Sequence, residues 1–260
     1  MPLNIRTYYD LTAPDKSGLP EQIGAQRRRV AERLAHVGRV VAVMSGKGGV
    51  GKSFVTAHLA RALSRGGRKV GVLDADLNGP TAARLLDADR AALVVEGDAA
   101  VPALGADHVR LVSMDLLLAD GHPLAFRGPA RERFVWRGAL EAAALREFLA
   151  DVAWGTLDLL LVDLPPGLAR FEELAELLET PPAVLTVTIP TPEAHAAVRR
   201  ALRAALEQGG RGLGVVENMV GDQFQGDAAQ ALAEEFDIPV LARLPFHPLP
   251  SAWDALAGQL

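Results

Sequence analysis

The chain has 260 residues, 49% of them hydrophobic, and a formal net charge of −5. That is enough apolar material for one large α/β core, and the mildly acidic balance gives no electrostatic reason to expect general nucleic-acid binding. Cysteine is absent, so neither a disulfide nor a thiolate metal site can form within the chain.

Residues 1 to about 19, rich in Pro, Asp, Thr and Ser without periodicity, read as an extended arm. No charged start leads into an apolar core, and no apolar run approaches the roughly 20 residues of a bilayer span, so a soluble, cytoplasmic protein is expected. In "LPEQIGAQRRRVAERLAH", residues 19–36, Ile23, Val30, Leu34 and then Val37 fall at helical intervals, with Gly38 as the stop. Arg27, Arg28 and Arg29 read as its solvated face rather than a nucleic-acid site. Arm and helix, 1–37, precede a domain spanning 38–260.

Beyond this point short β-branched runs alternate with helical segments. Strands are predicted at 39–45, 69–75, 108–114, 157–164, 183–189, 212–218 and 238–244, and helices near 52–65, 80–87, 136–152, 170–179, 192–208 and 226–236. Thr191 and Pro192 form the start of the fifth of these helices. The strands are apolar almost throughout, the pattern of a parallel sheet covered on both faces. The expected fold is α/β: a doubly wound, mostly parallel sheet with helices on both faces, in a single domain.

Gly46, Gly51, Lys52 and Ser53 fit G-x-x-x-x-G-K-[ST] where that motif must stand, after a buried strand and before a helix. Backbone N–H groups there converge on a phosphate only if side chains stay clear, which accounts for Gly46, Gly48, Gly49 and Gly51. Lys52 is expected to reach the β- and γ-phosphates, and Ser53 to place its hydroxyl on Mg²⁺. Candidate nucleotide contacts run through Gly46, Lys47, Gly48, Gly49, Val50, Gly51, Lys52, Ser53 and Phe54. Lys47 is a second lysine that one phosphate does not require.

"LDADLNGP" places Asp74 and Asp76 at the C-terminal end of the second strand, where open α/β sheets bind ligands. Capping of the helix near Pro80, by Asn78 more than by Asp76, is the alternative for this stretch. "LDLLLVDLPPG" is an apolar strand ending in Asp163, expected to hold a magnesium-bound water, although an aspartate there is also a common turn residue. Pro165, Pro166 and Gly167 then form a rigid turn whose Gly167 N–H is placed to sense a γ-phosphate. Asn218 ends "GVVEN"; its amide can donate and accept, as the N6 and N7 edge of adenine requires, or it forms a turn. "ARLPFHP" would bring backbone near Pro245 against the base. The six histidines, at 36, 58, 108, 122, 195 and 247, have no ligand spacing.

Together "SGKGGVGKS", "LDADLNGP", "FVWRGAL", "WGTLDLLLVDLPPG", "GVVENM" and "LPFHP" resemble the Mrp/ApbC branch of the MinD/ParA superfamily, the ATP-dependent iron–sulfur cluster carriers, over residues 38–248. The resemblance implies a P-loop NTPase fold and a homodimer that sandwiches two ATP molecules and hydrolyses them slowly. It further implies that Lys47 crosses the dimer interface to the partner's nucleotide, against the plain alternative of a solvent-facing lysine. By the same resemblance Asp76 orients the attacking water and Asp74 has an outer-shell magnesium role. The chain departs from the family in two places. Cluster cysteines expected after "VVENM" are missing, so a cysteine-ligated cluster is excluded on this chain's own residues. After the LPPG turn, Leu168, Ala169 and Arg170 stand where the family has Thr-Gly-Asp, which is expected to alter charge and hydrogen bonding beside the γ-phosphate.

The expected function is thus a magnesium-dependent ATPase of Mrp type, with catalytic roles for Lys47, Lys52 and Asp76 and a metal site drawn from Ser53, Asp74, Asp76 and Asp163. Its cofactors are ATP and Mg²⁺, its partners a second copy and a client or cluster-assembly protein, with no membrane and no nucleic acid. Two alternatives stand: a nucleotide-gated adaptor with little hydrolysis, and a ParA- or MinD-like positioning ATPase. Against the last, "PSAWDALAGQL" carries no Lys or Arg, and Arg199, Arg200 and Arg203 are the only late basic cluster.

Overall fold

The computed structural model describes residues 19–77, 79–88, 91, 93–96, 99–116, 143–221 and 228–260. The N-terminal arm, Asn78, the first half of the helix expected at 136–152 and most of the segment after "VVENM" lie outside the described residues.

The elements in chain order are α1 (Leu19–Leu34), β1 (Val37–Met44), α2 (Lys52–Arg65), β2 (Val70–Asp74), α3 (Ala82–Leu85), β3 (Val94–Glu96), β4 (Ala99–Val101), β5 (Ala103–Leu104) and β6 (Arg110–Val112). Next come a helix α4 at 143–150, β7 (Leu157–Asp163), α5 (Ala169–Leu177), β8 (Ala183–Thr188), α6 (Pro192–Glu207), β9 (Arg211–Val220), α7 (Ala228–Phe236), β10 (Val240–Pro245) and α8 (Pro250–Ala257). Eight strands form one sheet in the order β10-β9-β8-β1-β7-β2-β6-β5, parallel except for the β5 edge, and β3 and β4 pair as a separate hairpin. The doubly wound α/β fold is as expected. Because β1 is flanked by β7 and β8, the chain reverses its winding beside β1, and the strand ends carrying the motifs open onto one crevice.

Successive residues of the central strands serve opposite layers. Val41 and Val43 pack with α2, α3 and α8 through Leu59, Leu63, Ala83 and Trp253, while Ala42 and Met44 pack with α4 to α7 through Leu149, Phe171, Leu202 and Leu232. Near-continuous apolar strands are the consequence of this two-sided burial.

Helix α1 buries Val30 in the second layer, and Arg29 pairs with Asp151 while Arg33 Nε donates to the Ala150 carbonyl at 3.1 Å. The helix ends before the expected stop: Val37 and Gly38 already belong to β1. A Cβ on Gly38 would lie 2.9 Å from the Asp158 carbonyl oxygen, so this glycine permits strand packing and does not end a helix. Thr191 caps α6, its hydroxyl accepting from the Ala194 N–H at 3.2 Å. On the outer face of α6, Arg199 and Arg203 both pair with Glu235 of α7, so two of the three arginines of the late basic cluster are engaged within the fold. Among the described residues no helix is long and apolar enough to cross a membrane.

Candidate nucleotide site

The loop after β1 is built by contacts that its motif alone does not reveal. Gly46 lies against α6: a Cβ there would meet the backbone of Ala197 and Val198 at 2.1 to 2.4 Å. This glycine therefore admits a helix, whereas the sequence pattern assigned its bareness to phosphate access. Gly51 has φ +79, and a Cβ on it would lie 2.3 Å from Asn218 Nδ2. Asn218 donates from that nitrogen to the Val50 carbonyl at 3.0 Å. The expected adenine-reading amide is thus also a brace beneath the loop, with one of its two N–H groups committed there. Val50 is buried, while Lys47, Gly48 and Gly49 are exposed.

Lys52 opens α2 and turns inward, its Nζ 2.6 Å from Asp163 Oδ1 at the end of β7. Thr56, one helical turn on, donates to the same oxygen at 3.0 Å. Both charged groups are buried, and Asp163 Oδ2 has no partner among the described residues. Strand register sets Asp74 of β2 directly beside Asp163. Asp74 accepts from the N–H groups of Asp76, Thr81 and Ala82 at 3.0 to 3.1 Å and from Ser113 Oγ at 3.3 Å. It is therefore the residue that shapes the turn into α3, a capping duty the sequence suggested for its neighbours.

Burial first, then the Asp163 charge, push the Asp74 carboxyl up from 3.8 to about 7, against the three backbone bonds that pull it down. A carboxyl whose value is higher folded than unfolded binds more protons when folded, so its contribution to stability is lost as pH rises from about 4 to about 7. Asp74→Asn is expected to flatten that slope in urea midpoints measured across the range. An unchanged slope would assign the dependence to another group.

A cavity of about 410 Å³ opens above this buried pair. The loop from Lys47 to Phe54 forms one wall, and Asp76, Thr81, Arg84 and Pro166 face it. Of the residues anticipated from sequence, the loop and Asp76 meet at this cavity, while Asp74, Asp163 and Asn218 support it from beneath. Phe54 lends the cavity one edge and packs its ring on His58 and Trp253, with centroids 4.0 and 5.7 Å away. Gly167, at φ +103, donates its N–H to the Ser45 carbonyl at 3.2 Å. Pro245 ends β10, opposite Val220 of β9. Arg170 does not bring its charge to the cavity as expected; it is buried on α5 and pairs with Glu173. Thr56, Ser113 and Arg84 went unnoticed in the sequence. Only Thr56 left a signal, its place one helical turn after Lys52.

Asp163 Oδ2 has no partner among the described residues, and the Ser53 hydroxyl lies 3.5 Å from Lys52 Nζ, so carboxylate and hydroxyl oxygens of the kind that suit Mg²⁺ flank the buried pair. No group of three or more His, Asp or Glu gathers among the described residues, so the remaining ligands would be phosphate oxygens and water.

Residues 36–255 match the family described as ParA: NUBPL iron-transfer P-loop NTPase. Over 240 residues the chain is 34% identical to the iron–sulfur cluster carrier protein of Saccharolobus solfataricus, covering 88% of this chain and 78% of that protein. It is 38% identical over 240 residues to the cytosolic Fe–S cluster assembly factor CFD1 of Chaetomium globosum, covering 83% and 76%. The nucleotide-binding protein of Archaeoglobus fulgidus in complex with ADP superposes with a TM-score of 0.70 at 31% identity, covering 89% of this chain and 91% of that one. A P-loop between β1 and α2 of a mostly parallel sheet defines a P-loop NTPase of MinD/ParA type. This chain belongs to the NUBPL iron-transfer P-loop NTPase family.

Proposed function

We propose that this protein is a magnesium-dependent ATPase that works as a nucleotide-switched homodimer in the cytoplasm and serves iron–sulfur cluster assembly. The observation that carries the reading is the buried Lys52–Asp163 pair beneath a glycine loop that leaves a second lysine, Lys47, exposed. With no phosphate present, Lys52 is neutralised by Asp163; an incoming triphosphate competes for that ammonium and frees the carboxylate for a cation. Ser53, with Asp163, Asp74 and Asp76 acting through water, would hold Mg²⁺, which neutralises phosphate charge. Asp76, on the cavity wall, accepts a hydrogen bond from the attacking water. That water adds to the γ-phosphorus, the bond to the β,γ-bridging oxygen breaks, and ADP and inorganic phosphate leave.

Lys47 makes no side-chain hydrogen bond or ion pair among the described residues, as suits a cation kept for a second subunit's nucleotide. The base would meet the second N–H and the Oδ1 of Asn218, whose first N–H braces Val50, and backbone near Pro245. The two relatives named above are an iron–sulfur carrier and an assembly factor. Without cysteine this chain holds no thiolate-bound cluster itself, so its cargo role runs through a client that brings its own thiolates. The bond from Gly167 N–H to Ser45 favours a second reading, an adaptor that binds nucleotide and hydrolyses little, because that donor must let go before it can meet a γ-phosphate.

The test is solution mass and phosphate release with ADP, ATP and a non-hydrolysable ATP analogue. The analogue is expected to double the mass of the wild-type protein, Lys47→Ala to bind it yet stay monomeric, and Lys52→Ala to lose both binding and release. A constant mass in every state overturns the switch, and tight ATP binding without release above Lys52→Ala selects the adaptor.

A further inference from the structure

Arg84 has no part in the loop, the buried pair or the brace, yet it opens onto the same cavity as Lys47, Lys52 and Asp76. It stands on the last turn of α3, exposed, and no hydrogen bond or ion pair holds its guanidinium among the described residues. Its charge draws down the carboxyl of Asp115, which burial pushes up by more.

The backbone that carries Arg84 is not free. Ala82, Ala83 and Leu86 are buried against α2, and the Thr81 and Ala82 N–H groups are held by Asp74 at 3.0 Å. A long exposed cation on a rigid anchor, facing an anion-binding loop across an open cavity, is well placed for an anion that bridges the gap.

Charge bookkeeping identifies which anion. Lys52 is neutralised by Asp163, so the cations left uncompensated at the cavity are Lys47 and Arg84, with Asp76 as the one acid among its lining residues. Loop N–H groups and Lys52 satisfy the inner phosphates of a bound nucleotide. Arg84 lines the cavity with Asp76 and Pro166 rather than with the loop, so the phosphate it would meet is one beyond those that the loop holds. A guanidinium presents a planar fork matched to two phosphate oxygens, a geometry that an ammonium lacks.

We propose that Arg84 is a triphosphate-selecting residue: supplied in cis from the turn after β2, it binds the terminal phosphate and sets the preference for nucleoside triphosphate over diphosphate. This rests on the nucleotide-binding reading above. It differs from the role of Lys47, which needs a second subunit, since Arg84 acts within a single chain. Its absence should therefore be felt even in protein kept monomeric.

The experiment is titration calorimetry with ADP and with a non-hydrolysable ATP analogue, in magnesium, on the wild-type protein, Arg84→Ala, Arg84→Lys and Lys52→Ala, repeated in a Lys47→Ala background. Arg84→Ala is expected to keep ADP affinity within about twofold and to weaken the analogue about 10- to 30-fold, the loss of one charge-assisted pair, with Arg84→Lys between. The thermal midpoint without nucleotide should not move, because the side chain is exposed. An unchanged ratio of the two affinities in Arg84→Ala overturns the inference, and so does an equal loss for both nucleotides, which would make Arg84 a shaper of the turn. If the wild-type protein binds neither nucleotide and matches Lys52→Ala, the nucleotide reading itself fails and takes this inference with it.

Discussion

Gly46→Ala is expected to destabilise the nucleotide-free protein by about 3 kcal/mol or more and to abolish nucleotide binding, the upper end of what overpacking does. The added methyl would lie 2.1 Å from the Ala197 carbonyl carbon, 2.2 Å from the Val198 nitrogen and 2.4 Å from the Ala197 oxygen. These are backbone atoms of α6, so no side-chain rotation relieves the contact. Nor is α6 free to retreat: Ala194, Val198, Leu202 and Ala205 are buried, and Thr191 fixes its first turn. Either the helix or the phosphate loop must shift. Gly48→Ala makes the comparison, because its Cβ would lie 3.8 Å from a Pro166 side-chain carbon and its φ is not positive. That variant should unfold in urea at the wild-type midpoint. Wild-type midpoint and affinity in Gly46→Ala would refute the packing argument.

The second large effect is expected at Asp163. Asp163→Asn keeps an acceptor for Thr56 but leaves the Lys52 ammonium, 7% exposed, without its counter-charge. Breaking a buried pair from one side costs about 3–5 kcal/mol, chiefly through the stranded charge. Two measurements separate this from a simple loss of packing. Lys52→Met in the Asp163→Asn background should recover part of the lost stability, since the stranded ion is gone. ADP should raise the thermal midpoint of Asp163→Asn by more than that of the wild-type protein, because phosphate replaces the missing carboxylate as the partner of Lys52. Equal stability of the single and double variants would mean that the pair contributes little.

The α6 backbone against Gly46 and the Asp163 carboxylate both lie behind the phosphate loop, where the sequence was least informative. Strand and helix positions in the sheet were legible because two-sided burial leaves unbroken apolar runs, as in Leu157–Asp163, and because α2 and α6 carry local start signals. Helix α8 was not: eight residues bury only Trp253 and Leu256, too short a stripe to declare a period. The β3–β4 hairpin and the two-residue β5 left no pattern either, being held by pairing rather than by composition.

At the site, the amino-acid order alone marked Gly46 to Ser53 as a phosphate-loop motif between a strand and a helix, placed Asp76 at the same end of the sheet, and ruled out a thiolate cluster on this chain. Those conclusions depend on residue type and on neighbours a few positions away. Tertiary structure alone decided that Gly46 makes room for α6, that Asp74 organises a turn, that Asn218 braces Val50, that Arg170 faces Glu173, and that Arg84 confronts the loop across the cavity. The contacts of Gly46, Asn218 and Arg84 join segments far apart in the chain, while the local bonds of Asp74 and Arg170 depend on where the fold buries those side chains. Such contacts are set by strand order and helix packing, and no local pattern of charge or hydrophobicity encodes them.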